Sequence, residues 1–254
     1  MKLRILGSGT STGVPEIGCT CEVCTSTDVR NRRLRTSALL HIDDESGILI
    51  DCGPDFREQM LRSAWFGKIE GVLLTHEHYD HVGGLDDLRP YCRKGEIPLY
   101  ADAYTSHHLR ERMPYCLGEV RYPGSPLITL RETAPLKPFF IRDIQITPFA
   151  VLHGKLPILG FRIGEKLGYI TDMLTMPDES YEQLHGLDVL VVNALRHKPH
   201  PAHQTIEAAI ETARRINARE TYFVHMCHGA GLHAELEQQL PPHIHLTYDG
   251  MVIY

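Results

Sequence analysis

No apolar run in this sequence approaches the ~20 residues that a membrane span requires, so no transmembrane helix is expected. The opening residues, Met-Lys-Leu-Arg-Ile-Leu-Gly-Ser-Gly-Thr, hold too short an apolar stretch for a secretory signal. A basic surplus is also missing. The net charge of −6 argues against non-specific nucleic-acid binding, because nothing offsets phosphate in bulk, although a local basic pocket is still allowed. Seven cysteines, odd in number and unevenly spaced, do not form a disulfide framework, which points to a reducing, cytoplasmic setting. Linker-like stretches, low-complexity tracts and short repeats are absent, so one domain over residues 1–254 is expected. Hydrophobic residues at 43% and charged residues at 23% fit an ordinary globular chain with a sizeable core. The unusual figure is 16 histidines, and their positions carry the argument.

The densest group is Val72-Leu73-Leu74-Thr75-His76-Glu77-His78-Tyr79-Asp80-His81-Val82-Gly83-Gly84. Val72 to Leu74 reads as a short buried strand that breaks off into three imidazoles and a carboxylate, with two glycines behind. Alternation puts His76 and His78 on one side, as two ligands of one cation need. Asp80 and His81 lie where the chain turns and can face a second cation. Imidazole and carboxylate donors suit zinc, manganese or iron without singling one out. At this composition such a spacing arises by chance in roughly one sequence in a few hundred.

Other strand ends repeat the pattern. Residues 2–6 form a strand leading into Gly7-Ser8-Gly9-Thr10-Ser11-Thr12-Gly13, a turn that is not a P-loop because no helix pattern follows. Ser37 to Asp43 and Gly47 to Asp51 make a hairpin, with a helix starting near Pro54 and bearing Phe56, Met60 and Leu61. Asp51 is read as a carboxylate that holds a neighbouring loop or histidine rather than a ligand, and Cys52 as packing. Pro98 to Ala101 is a strand and Ala103 to Met113 a helix whose His107 and His108 face solvent. The proline-rich stretch 114–140 offers only a strand near Leu127 to Arg131. Ile144 to Leu152 is a strand ending at His153-Gly154. Ile158 to Ile163 and Leu167 to Thr171 pair as a hairpin ending at Asp172. Asp188 to Val192 leads to a loop with His197, His200 and His203, then an amphipathic helix from Gln204 to Asn217. Thr221 to Val224 ends at His225, a short helix spans Ala234 to Leu240, and strands at 244–247 and 251–254 close the chain. Four strand endings with metal-competent residues are hard to explain as core histidines, since groups collect beyond strand ends in α/β sheets.

Cys19, Cys21 and Cys24 are too close for easy mutual disulfides and well placed for thiolate ligation of zinc. A closed site needs a fourth ligand, for which His228 is the first candidate and Cys227 the second.

The loop from His76 to His81 resembles the HxHxDH signature of the metallo-β-lactamase superfamily, and the likeness extends over nearly the full chain. It implies an α/β fold, the four-layer αβ/βα sandwich of the metallo-β-lactamase type. It also implies two divalent ions, Mn or Zn. His76, His78 and His153 would hold one; Asp80, His81 and His225 the other; Asp172 would bridge. Within the superfamily the chain looks like the phosphoribosyl cyclic phosphodiesterase family of phosphonate metabolism. That family pairs an early Gly-Cys-x-Cys-x-x-Cys structural zinc motif, here Gly18, Cys19, Cys21 and Cys24, with a late histidine, here His228. The resemblance further implies that Asp80 orients a metal-bridging hydroxide and that His203 acts at the leaving group, giving a phosphomonoester. The expected partner is a small, cyclic phosphodiester; neither nucleic acid nor membrane is expected, and a homodimer is left open. A tRNA 3′-end endonuclease shares the metal set but usually carries a basic arm that this sequence lacks. The coenzyme-PQQ-biosynthesis carrier type shares the cysteine motif but departs from the full ligand set. A thioesterase or lactonase of the same fold lacks a use for the zinc motif and His203.

Overall fold

Alternating and doubly buried apolar runs become fourteen strands among the residues that the computed structural model describes, 2–118 and 122–253. The chain partitions into two units. One holds Met1–Gly7, Ser37–Ala134 and Gly250–Tyr254, and the other holds Ser8–Thr36 and Pro135–Asp249.

The first unit is built on one sheet of β1 (Lys2–Gly7), β2 (Ser37–His41), β3 (Ser46–Ile50), β4 (Lys68–Leu73), β5 (Ile97–Ala101), β6 (Ile128–Glu132) and β14 (Val252–Ile253). Their order is β14-β1-β2-β3-β4-β5-β6. The pairs β14–β1, β1–β2 and β2–β3 are antiparallel, whereas β3 to β6 run parallel. Parallel strands need cover on both faces, which is why Leu49, Val72 and Leu99 are fully buried beside Phe56, Met60 and Leu109. The central strand is longer than the run Val72 to Leu74. Lys68-Ile69-Glu70-Gly71 alternates before the run sinks on both faces. The helix expected near Pro54 begins at Phe56, because Gly53 and the Pro54-Asp55 pair form its entry turn. His107 and His108 lie on the outer side of the helix Ala103–Arg112 near Glu111, as expected. Tyr254, the end of the last expected strand, lies outside the described residues.

The second unit has its own sheet: β7 (Phe139–Ile141), β8 (Ile144–His153), β9 (Leu156–Ile163), β10 (Leu167–Tyr169), β11 (Val189–Asn193), β12 (Glu220–Val224) and β13 (Ile244–Leu246). The order is β13-β12-β11-β10-β9-β8-β7, parallel from β10 to β13 and antiparallel from β7 to β10. The amphipathic helix spans Ile206–Ile216. It starts two residues later than the apolar pattern suggests because Thr205 caps it, accepting from the Ala208 amide at 3.2 Å. Asn217 ends it in the left-handed region at φ 54°. Its buried stripe of Ile206, Ala209, Ala213 and Ile216 packs with Val192 and Phe223 in one core cluster. The strand β7 and the short helix Asp178–Glu182 were not expected from the sequence pattern. Among the described residues no helix is long and apolar enough to cross a membrane.

A buried polar network ties this second unit together. The Arg33 guanidinium donates to Ser8 Oγ at 2.9 Å and to the Thr247 carbonyl at 2.6 Å, and it meets His233 Nδ1 at 3.2 Å. The Asp249 carboxylate accepts from the Ser8 amide and hydroxyl and from the Leu34 amide. Burial pushes Asp249 up and Arg33 down to about 10, so Arg33 stays charged at neutral pH. Burial and the neighbouring Arg33 also push His233 down to about 4, which keeps it neutral as the acceptor of that guanidinium. Truncating one member of a buried charged network strands the others. Arg33→Ala is therefore expected to lower unfolding free energy by about 3 to 5 kcal/mol, read by urea denaturation; a loss under about 1 kcal/mol would mean that the network is solvated.

Candidate metal centres

In the first unit, β4 ends at Leu73 and the chain turns through Leu74 to His78 into one helical turn, Tyr79–Val82. His76, Asp80 and His81 are buried, and His78 is half-buried. The rings of His76 and His81 lie 4.2 Å apart, those of His76 and His78 4.5 Å, and His81 Nε2 is 3.2 Å from an Asp80 oxygen. The glycine behind them is sterically required, since a Cβ on Gly84 would sit 2.1 Å from the Gly53 carbonyl oxygen.

Asp51 holds this loop in place. Its carboxylate accepts from the Thr75 amide at 2.9 Å and from the Thr75 hydroxyl, and it accepts from His81 Nδ1 at 2.7 Å. Burial raises its pKa, while His81 and Thr75 pull it back down. With Nδ1 donating to a carboxylate, His81 presents Nε2 as its lone-pair nitrogen, which is the arrangement a metal-bound imidazole needs. The orienting role expected for Asp51 is thus what its contacts describe. Asp51 itself sits at φ 57°, a strained conformation for a non-glycine residue.

The second unit carries a matching cluster. His153, at the end of β8, donates from Nδ1 to the Ala202 carbonyl at 3.0 Å, which again leaves Nε2 as the ligand nitrogen. Asp172 follows β10 by three residues and His225 follows β12, at φ 56° and 58°. His225 Nε2 lies 3.1 Å from Asp172 Oδ1, and the other carboxylate oxygen accepts from Thr171 Oγ1 at 2.6 Å. His203 Nδ1 lies 3.7 Å from Asp172 Oδ1, with its ring 4.6 Å from His153 and 4.9 Å from His225. Ligand atoms of His153, Asp172 and His203 fall within 4.8 Å of one another. Burial pushes His203 down to about 3 against the pull of Asp172, so the ring is neutral at neutral pH. His197 is elsewhere, paired with Glu207 at 2.6 Å, whereas the His200 ring lies 4.8 Å from that of His203, tilted by 34°.

Two positioning residues escaped the sequence reading. Asn193, closing β11, locks the Met173 backbone through both its amide donor and its acceptor, at 2.9 Å each, and so fixes the residue after Asp172. Thr75 serves Asp51 as described. A polar residue closing an otherwise apolar buried strand was the available signal for both.

Also in the second unit, Cys19, Cys21, Cys24 and His228 bring four ligand atoms within 4.8 Å. His228 Nδ1 lies 3.2 Å from Cys19 Sγ and 3.3 Å from Cys21 Sγ. Tetrahedral zinc, with Zn–S about 2.3 Å and Zn–N about 2.0 Å, sets this edge at roughly 3.5 Å. The Cys24 amide and His228 hold the Cys21 thiol down to about 6, while burial pushes Cys24 up to about 11. Cys21 thus offers a thiolate at neutral pH, as ligation requires. Cys227, the second candidate for the fourth ligand, is buried and accepts from the Gly229 amide instead.

Residues 47–226 match the family model described as the beta-lactamase superfamily domain. The chain belongs to that superfamily. Its membership covers both histidine clusters, and the donor sets of both fit the divalent ions of a metal-dependent hydrolase. A diphosphatase of the PhnP family shares 40% of the sequence over 100% of this chain and 97% of its own, with a TM-score of 0.91. The expected metallo-β-lactamase-type α/β fold and the expected kinship to that phosphodiesterase branch are both borne out. Zn(2+)-bound PqqB from Methylobacterium extorquens shares the fold at a TM-score of 0.83 and 20% identity, over the full length of both chains. A curated relative from Porphyromonas gingivalis named octanoyltransferase is 48% identical over 99% of this chain, which spans only 51% of that protein.

Since outer carboxylates tune metal-bound histidines, Asp51→Asn is expected to weaken divalent-metal retention by about 10- to 100-fold. Equilibrium dialysis with metal analysis reads the loss, and circular dichroism checks that the fold persists. Retention within twofold of the parent protein would remove Asp51 from the metal site.

Proposed function

We propose that this superfamily member is a dinuclear-metal phosphodiesterase that hydrolyses a small, cyclic phosphodiester to a phosphomonoester, with the whole chain acting as one catalytic domain. His76, His78 and His153 would hold one cation in this reading, and Asp80, His81 and His225 the other, with Asp172 available to both. Manganese or zinc suits these donors. The observation that carries the reading is His203, buried between Asp172 and His153 on the loop before a helix, where a leaving oxygen can be met. The 40% identity to a PhnP-family diphosphatase supports phosphoryl chemistry.

A divalent pair, when bound, lowers the pKa of water towards neutrality and neutralises charge on phosphoryl oxygens. Asp80 and Asp172 would orient the attacking water in line with the leaving oxygen. Asp51 and Ala202 keep His81 and His153 turned with Nε2 inward. His203 is neutral in the free site; an anionic diester beside it would raise its pKa so that the ring takes up a proton from solvent, which it then passes to the leaving oxygen, a contribution of about 10²- to 10⁴-fold. Cys19, Cys21, Cys24 and His228 hold a separate structural zinc. The seven free thiols support a reducing, cytoplasmic setting, and the acidic charge balance supports a small-molecule partner rather than tRNA.

A second reading follows from the relative named octanoyltransferase: an acyl ester or thioester in place of the phosphodiester. That activity belongs to a protein of which this chain spans about half. A metal-replete preparation assayed on cyclic phosphoribose, cyclic nucleotides, a diphosphate diester, bis(p-nitrophenyl) phosphate and an octanoyl thioester separates the two. Turnover confined to the thioester would overturn the phosphodiesterase assignment.

If His203 protonates the leaving oxygen, His203→Ala should keep its metals and lose about 10²-fold or more in kcat on diesters with alkoxide leaving groups. Loss on p-nitrophenyl diesters should be much smaller. Equal losses on both would reduce His203 to a substrate-positioning group.

Cys21→Ser is expected to lose tightly held zinc and melt earlier, because structural zinc contributes directly to folding. Unchanged zinc content and melting would mean that the thiols are free.

A further inference from the structure

We infer that Glu16 is the positioning residue that selects which ring nitrogen of His228 faces the three thiols. This rests on the structural-zinc reading above. Glu16 touches three of the four ligand residues. Its carboxylate lies 3.2 Å from His228 Nε2, its amide donates to Cys24 Sγ at 3.4 Å, and its carbonyl accepts from the Cys19 amide at 3.0 Å. The His228 ring is therefore spanned between a carboxylate at Nε2 and two sulfurs at Nδ1.

The chemistry follows from the two ring nitrogens. A carboxylate only accepts, so its negative charge 3.2 Å away favours the proton on Nε2 and leaves the lone pair on Nδ1 towards the thiols. The negative charge also makes Nδ1 a stronger donor to a cation. Without Glu16, the imidazole loses its tautomer preference and is free to turn over and present Nε2. The bland alternative is a half-exposed surface ion pair, with side chains 41% and 30% exposed, of little consequence. Surface pairing does not explain why the same residue also serves Cys19 and Cys24 through its backbone. Those backbone bonds place the carboxylate relative to the thiols before any cation arrives.

The test compares Glu16→Ala and Glu16→Gln with the parent protein, each as the full chain. Zinc competition against a chromogenic chelator should show about a 10- to 100-fold weaker site for Glu16→Ala. Glu16→Gln should lose far less, since its amide oxygen still accepts from Nε2. Cobalt in place of zinc isolates this centre, because only thiolate ligands give the near-ultraviolet charge-transfer band; the band should shift or weaken in the Ala variant alone. Nitrogen-detected NMR of His228 should report proton on Nε2 in the parent and Gln proteins and a tautomer mixture in the Ala protein. Melting of the metal-free proteins should be equal in all three, which a purely structural contact would not predict. Equal chelator curves for Ala and parent protein, or equal loss of metal-free stability in both variants, overturns the assignment. Absence of chelator-competed zinc in the parent protein overturns the structural-zinc reading itself.

Discussion

The buried Asp51 carboxylate is the constraint on which the first unit's metal loop depends. A desolvated charge must be saturated with donors, and this one takes them from Thr75 and His81 at once. Satisfying it fixes the path of the chain at both ends of the histidine-bearing loop, together with the backbone bonds from the Leu74 amide to the Tyr100 carbonyl and from the Cys52 amide to the His81 carbonyl. The second unit solves the same problem with neutral groups. Asn193 pairs with the Met173 backbone as a neighbouring strand would, and Gln204 braces Asn193 from the helix side at 2.8 Å. Asp51, Asp172 and His225 all adopt left-handed backbone at strand ends. Each turns its strand sharply enough to aim a side chain back across the sheet end, at a local conformational cost that the surrounding hydrogen bonds offset.

Burial, more than proximity of charges, sets the protonation of the site. His203 is neutral because its surroundings cannot stabilise an imidazolium, even with Asp172 nearby. A neutral imidazole there does not repel a divalent ion at the neighbouring carboxylate.

Much of this was legible in the sequence because it is local. Histidines at strand ends, glycines behind them and a capped amphipathic helix all leave their mark within a dozen residues. His76 to His81, His153, Asp172 and His225 stand out for that reason, as do Cys19, Cys21 and Cys24. What escaped is non-local. Asn193 and Thr75 act on residues that folding alone brings near, and Arg33 gains its meaning from Asp249 and Thr247, more than 200 positions away. The strand β7, three residues long and with Phe140 exposed, carries too little periodicity to be seen. The division into two units was also invisible, because each is assembled from separated segments without a linker between them. The charge state of His203 depends on burial depth, which no spacing reports.

The same interleaving bears on how the chain is made. The Arg33–Ser8–Asp249 network joins the beginning of the second unit to its last residue, and β1 of the first unit pairs with β14 through Leu3 and Ile253. On a translating ribosome, neither unit can close until residues near 250 have left the exit tunnel. Until then Cys19 and Cys21 wait without the His228 ring beside them, with their thiols open to solvent. Interleaving of this kind closes off vectorial, unit-by-unit folding, and thiol chemistry on the nascent chain becomes a hazard of biosynthesis.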